Sequence, residues 1–243
     1  MQSSAAMERA RALLKAAQRV SVLTGAGISA ESGVPTFRGA GGLWKQFRAE
    51  DLATPEAFRR DPQLCWEWYD WRRGLLANLK PNPGHEALAE LERRSSQFTL
   101  ITQNVDGLHT RAGSRAVLEV HGNIWNLRCT GCSREWVDHS VPLPLLPRCK
   151  VCQALARPGV VWFGENLDRN IWSAAERAVS SCDVLLVVGT SALVYPAAGL
   201  VPLAQSTGAK IIEVNLESTP VSGLVDCALT GPAGEILPNL IAG

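Results

Sequence analysis

Short apolar runs that end in turns, separated by helical stretches, set the first constraint on this chain. Residues 20–23, 98–102, 184–188 and 210–214 are too brief for helices and lack the polar alternation of a half-exposed strand. They read as strands buried on both faces. Residues 117–120 and 160–163 are shorter candidates of the same kind. Helical patterns lie between them, over 86–94, 170–181 and 197–205. Such alternation predicts an α/β fold, a Rossmann-like parallel sheet with helices on both faces. The amphipathic start, with Leu13, Leu14 and Ala17 on one side, reads as an opening helix.

Two stretches break the pattern. Residues 36–84 are rich in aromatics and prolines and show no clear strand, and residues 127–156 carry paired cysteines. Both read as insertions that build a small zinc-ribbon and helical lobe. The expected division is therefore a Rossmann-like domain from 1–35, 96–126 and 157–243, a cofactor-loop and helical module at 36–95, and a metal module at 127–156.

Twenty-four basic residues against 23 acidic give a net charge of +1. That balance offers no reason to expect nucleic acid as a partner. No apolar run nears the ~20 residues that a membrane helix needs, and no secretory signal is evident. An intracellular, cytoplasmic setting is the expectation, with a mitochondrial one left open.

Cys129-Thr-Gly-Cys132 and Cys149-Lys-Val-Cys152 are two C-x-x-C knuckles separated by sixteen residues. Two knuckles complete a tetrahedral four-thiolate zinc site. Four thiolates leave no position for a reactive water, so the metal should be structural. Cys65, Cys182 and Cys227 have no such spacing and read as reduced core residues.

After the first strand comes Thr24-Gly-Ala-Gly-Ile-Ser29. Gly25 and Gly27 permit a tight turn and a close approach of backbone N–H groups to a phosphate. The third glycine, Gly33, comes too late for the dehydrogenase fingerprint, and Glu50 and Asp51 follow no strand. No Walker lysine is present. A nucleotide is implied, without hydride or phosphoryl transfer.

These features come in an order that resembles the sirtuins: GAGISAESGVPTFRG from 25, QNVDGLH at 103–109, VHGN at 120–123, the cysteine pairs, VWFGE at 161–165, GTS at 189–191 and VN at 214–215. The resemblance implies a protein-lysine deacylase that consumes NAD and releases nicotinamide and O-acyl-ADP-ribose. It implies His121 as general base, an assignment that suits an imidazole titrating near neutrality. Asn104 joins it as a catalytic residue and, with Gln103 and Asp106, would line the nicotinamide pocket. Gly25, Ala26, Gly27, Phe37, Arg38 and Trp44 would hold the cofactor from one side. Gly189, Thr190, Ser191, Asn215, Glu217 and Ala233 would hold it from the other. Val161, Trp162, Phe163 and Gly164 would form a groove in which an acylated lysine peptide adds as a strand. His85, His109 and His139 read as ordinary satisfied histidines.

Residues 65–73, Cys-Trp-Glu-Trp-Tyr-Asp-Trp-Arg-Arg, have helical character, which puts Tyr69 and Arg72 one turn apart on one face. This Tyr-x-x-Arg resembles the sirtuin subgroup that removes succinyl, malonyl and glutaryl groups. A guanidinium can grip a distal carboxylate bidentately, and a phenol can add a further hydrogen bond. Arg73 is equally available by spacing. The alternatives to deacylation are protein ADP-ribosylation on the same scaffold and a non-catalytic NAD- or zinc-dependent interaction module.

Overall fold

In the computed structural model, which describes residues 4–35, 43–44 and 47–242, α1 (Ser4–Ala16) leads into β1 (Arg19–Thr24) and the short α2 (Ala26–Ala30). Paired two-residue strands follow, β2 (Leu43–Trp44) and β3 (Phe47–Arg48), within a stretch whose sequence predicted none. Next come α3 (Ala49–Leu52), α4 (Pro55–Arg60), α5 (Pro62–Ala77) and α6 (Pro83–Arg94). Thr54, Asp61 and Asn82 cap α4, α5 and α6 with their side chains, each followed by proline at the first helical position. The proline lacks only an N–H that would have had no helical acceptor, so the pairing is a clean start signal.

The chain continues through β4 (Gln97–Thr102), α7 (Leu108–Arg111) and β5 (Val117–Glu119). It then forms β6 (Gly122–Cys129), β7 (Glu135–Val137) and β8 (Ala156–Val160). The last part contains α8 (Arg169–Ser181), β9 (Val184–Val188), a 3-10 turn at Ala197–Gly199 and α9 (Leu200–Ser206). It closes with β10 (Lys210–Asn215), β11 (Cys227–Thr230) and α10 (Ala233–Ile241).

Six strands form one parallel sheet in the order β11-β10-β9-β1-β4-β5. The chain leaves β1 toward β4 and β5, then returns to β1's other side with β9. This is the doubly wound order, and its crevice lies where the direction reverses, beyond the carboxyl ends of β1 and β9. Strand residues alternate between the two faces. Val184, Leu186 and Val188 pack with α6 and α10, whereas Leu185 and Val187 pack with α8 and α9. Among the described residues no helix is long and apolar enough to cross a membrane.

The second lobe has its own core. The antiparallel sheet β7-β6-β8 packs against α3, α4 and α5 through Phe58, Trp66, Trp68, Tyr69, Ile124, Leu127 and Trp162. One expectation is corrected here. Residues 160–163 are not a strand of the large sheet. The strand is Ala156–Val160, and it belongs to this small antiparallel sheet. Pro158 and Gly159 hid it, since both argue against strand in sequence. Gly159 is nonetheless needed there, because a Cβ would lie 2.6 Å from the Asn126 Cβ.

Candidate active site

The loops after β1 and β9 cross backbone to backbone. The Gly25 N–H donates to the Val188 carbonyl at 3.1 Å, and the Gly27 N–H donates to the Gly189 carbonyl at 2.7 Å. A Cβ on Gly27 would sit 2.7 Å from the Gly189 Cα, and one on Gly189 would sit 2.3 Å from the Ile28 nitrogen. Gly189 also has φ +57°, in the left-handed region. The tight turn expected at Gly25 and Gly27 is thus packed against the loop after β9. Both donors are already bonded, and the glycines are required by the crossing itself.

Around that crossing the strand ends gather polar groups. Gln103 follows β4 and donates from Nε2 to the Thr190 hydroxyl at 2.9 Å. Asn215, at the end of β10, donates from Nδ2 to the Thr190 carbonyl at 2.8 Å. Ser191 is half-buried beside them, Glu217 is exposed, and Ala233 is buried at the start of α10. Ala26 is half-buried in the first turn of α2. Phe37 and Arg38 lie outside the described residues, and Trp44 is placed only as part of β2.

Behind the crossing sits a buried polar cluster. The Asn104 Nδ2 donates to the Gly25 carbonyl at 3.0 Å and to the Ser29 hydroxyl at 3.1 Å. Ser29 donates to Asp106 Oδ2 at 2.8 Å, and the Leu108 N–H donates to Asp106 Oδ1 at 2.8 Å. Burial pushes the Asp106 carboxyl up, opposed by the Leu108 and Ser29 donors and by the Arg72 cation. Sequence reasoning passed over Ser29 and left His85 in an ordinary role. His85 Nδ1 accepts the Asn82 N–H at the start of α6, while Nε2 lies 3.3 Å from the Ser29 hydroxyl. Burial lowers its pKa to about 4, so it is neutral here.

His121 occupies the junction of the two lobes. Its Nδ1 is 3.0 Å from the Gln103 carbonyl, an acceptor only, so Nδ1 carries the proton and Nε2 keeps its lone pair. Its own carbonyl accepts the Val161 N–H at 2.9 Å. Burial lowers the imidazole pKa below its ordinary value.

On α5 the two neighbouring arginines have different surroundings. Arg73 is fully buried and donates to three carbonyls, Ile124 at 2.7 Å, Asp138 at 2.6 Å and Ser140 at 3.0 Å. It is spent on fastening α5 to β6 and to the segment that follows β7. Arg72 is half-buried, its guanidinium 5.1 Å from the Trp68 ring and under the electrostatic influence of Tyr69 and Asp106. Tyr69 is buried, and its hydroxyl accepts the Trp162 indole N–H at 2.8 Å. Of the expected peptide groove, Val161 is half-buried, Phe163 is 52% exposed and Gly164 is open, whereas Trp162 turns inward.

The four thiols of Cys129, Cys132, Cys149 and Cys152 converge, with all sulfur atoms within 4.8 Å of one another. An ideal tetrahedron at a Zn–S bond of ~2.3 Å has sulfur–sulfur edges of roughly 3.8 Å. The Cys132–Cys149 separation is 3.8 Å and the Cys129–Cys152 separation 3.3 Å. The Cys132 and Gly131 amides donate to Cys129 and pull its thiol down to about 6. The spacing and the four-sulfur donor set both fit a structural zinc ion.

A sequence model of the Sir2 family matches residues 25–196, which spans the crossing, the buried cluster, His121 and the cysteines. NAD-dependent protein deacylase 2 of Pyrobaculum aerophilum is 52% identical over 229 residues, 94% of this chain and 92% of its own. The chain belongs to the Sir2 family. Another sirtuin, the mitochondrial NAD-dependent protein deacylase sirtuin-5 of Danio rerio, is 46% identical over 249 residues, covering 91% of this chain and 82% of its own. The crystal structure of a Sir2 homolog–NAD complex superposes with a TM-score of 0.92 at 47% identity, over 97% of this chain and 92% of that one. That likeness agrees with the doubly wound crevice as a dinucleotide site, and this sirtuin's cofactors are NAD and one zinc.

Proposed function

We propose that this sirtuin removes acyl groups ending in a carboxylate (succinyl, malonyl or glutaryl) from protein lysines in preference to acetyl groups. The coarser activity, NAD-dependent protein deacylation, follows from family membership and from relatives near 50% identity over most of the chain. The observation that carries the finer reading is the division of labour on α5. Arg73 is consumed by carbonyls, while the Arg72 guanidinium lies one turn from Tyr69 and within electrostatic reach of both Tyr69 and Asp106. A half-buried cation beside a phenol suits an anionic ligand group better than a methyl.

Bound NAD supplies an electrophilic ribose carbon and nicotinamide as leaving group. The residues proposed to hold it are Gly189, Thr190, Ser191, Asn215, Glu217 and Ala233 on one side of the crossing, and Gly25, Ala26 and Gly27 on the other, with Phe37, Arg38 and Trp44 expected from the family. Gln103, Asn104 and Asp106 form the wall where a carboxamide needs both donors and acceptors. Ser29 and Gly25 fix the Asn104 amide, so its orientation is set before any ligand arrives. His121 presents an unprotonated Nε2 and takes a proton from a hydroxyl at the junction of the lobes, and the Gln103 carbonyl stabilises the resulting imidazolium through Nδ1. Val161, Phe163 and Gly164 are the proposed edge for the peptide main chain.

Arg72→Met tests the acyl assignment. With succinyl-lysine peptide and NAD, kcat/KM should fall roughly 100-fold or more, given the several kcal/mol that an unmatched buried carboxylate costs. Acetyl-lysine turnover should change only a few-fold. Equal loss on both substrates would remove the preference, and turnover without NAD would remove the mechanism.

A further inference from the structure

Tyr69 accepts a hydrogen bond, which limits where its own proton can go. A phenol O–H lies near the plane of its ring and has two orientations available there, while the oxygen can accept through the side left open. The Trp162 Nε1–H occupies one side at 2.8 Å. The Tyr69 proton is thereby left to point away from Trp162, and no hydrogen bond donated by that hydroxyl forms among the described residues. Burial pushes the phenol pKa well up, so the proton is present at neutral pH.

Trp162 is itself held on three sides. The Arg157 guanidinium stacks on its ring, 3.4 Å from Cζ to centroid, and pairs with Glu165 through two bonds at 2.5 and 2.9 Å. Glu165 Oε2 also accepts the Trp162 backbone N–H at 2.9 Å. Phe58 packs on the ring with centroids 5.2 Å apart. The same arginine donates to the Val160 carbonyl at 2.9 Å, which ties the arrangement to the end of β8. An indole clamped this way cannot swing to let the phenol reverse.

We infer that Trp162, locked by Arg157 and Glu165, is a specificity-positioning residue: its indole N–H makes Tyr69 an obligate donor toward an acyl carboxylate held by Arg72. The inference rests on the acidic-acyl reading above. It explains why a tryptophan expected in the peptide groove faces inward instead. It also assigns a use to the Arg157–Glu165 pair, which touches neither the nucleotide crevice nor His121.

The test is the ratio of kcat/KM for succinyl-lysine over acetyl-lysine peptide, in a double-mutant cycle of Trp162→Phe with Tyr69→Phe. Phenylalanine keeps a ring against Arg157 and Phe58 but removes the N–H. In the Tyr69 background, Trp162→Phe should lower the ratio by about tenfold, the scale of one hydrogen bond to a charged group, through a raised succinyl KM. In the Tyr69→Phe background the same change should leave the ratio within about twofold, because no hydroxyl remains to orient. An equal drop in both backgrounds would mean that Trp162 acts by packing alone and would overturn the inference. Should Trp162→Phe fail to fold, Arg157→Gln loosens the clamp with the indole kept, and it should lower the ratio in the same direction through KM. An unchanged ratio there would overturn the inference as well. Arg72→Met runs alongside. If it collapses the ratio while Trp162→Phe does not, only the positioning role fails; if Arg72→Met itself leaves the ratio intact, the acidic-acyl reading fails first.

Discussion

The two ends of the cleft are built from different materials. At the nucleotide end, main chain meets main chain: Gly25 and Gly27 rest on Val188 and Gly189, with no room for a single added carbon. At the proposed acyl end, side chain meets side chain, in a sequence from Arg157 and Glu165 through Trp162 to Tyr69, with Arg72 alongside. The first kind of contact has almost no sequence freedom. The second can be retuned one residue at a time while the fold is kept. On the proposed reading, chemistry common to every substrate belongs to the rigid end and substrate choice to the adjustable one.

This contrast can be broken by substitution. The largest effect is expected at the boundary of the two ends. His121→Ala should lower kcat by roughly 10²–10⁴-fold on succinyl and acetyl peptides alike, the usual range for a lost general base. A loss confined to one acyl group would assign His121 to substrate choice. Gly189→Ala should destabilise the protein by about 3 kcal/mol, since it adds a left-handed backbone penalty to an overpacked crossing. Thermal melting and NAD titration should both report it, and a variant that melts like the parent would show that the crossing can give.

Arg73→Leu separates the adjacent arginines. It strands three carbonyls in the small lobe and should cost on the order of 2–4 kcal/mol in unfolding free energy. Its effect on succinyl and acetyl turnover should be equal, opposite in kind to Arg72→Met. The smallest expected effect is in pH dependence. Burial lowers the His121 pKa below its ordinary 6.5, so the neutral base persists as the pH falls through that value. The acidic limb of kcat should therefore lie below pH 6.5, and a limb above it would contradict the buried placement.

Much of this was legible in the sequence where a local pattern decides the outcome. The four main buried strands follow from apolar runs bounded by turns, and the zinc ligands from their knuckle spacing. What failed depended on partners far along the chain. The need for glycine at 25 and 27 looks like a matter of the local turn until Gly189 is seen against them. Residues 72 and 73 are equivalent by spacing, since helix neighbours differ by only about 100° of rotation, and only the carbonyls of Ile124, Asp138 and Ser140 separate them. Ser29 gave no signal of its own, and its place is set by Asn104 and Asp106.

The free ring nitrogen of His121 is selected by the main chain. In many enzymes a neighbouring carboxylate chooses which imidazole nitrogen is free, and replacing that carboxylate scrambles the choice. Here the chooser is a main-chain oxygen, which every amino acid at position 103 would supply. The tautomer is thus insulated from point substitution at Gln103, where the side chain can vary to suit the pocket while the base keeps its proton on the same side.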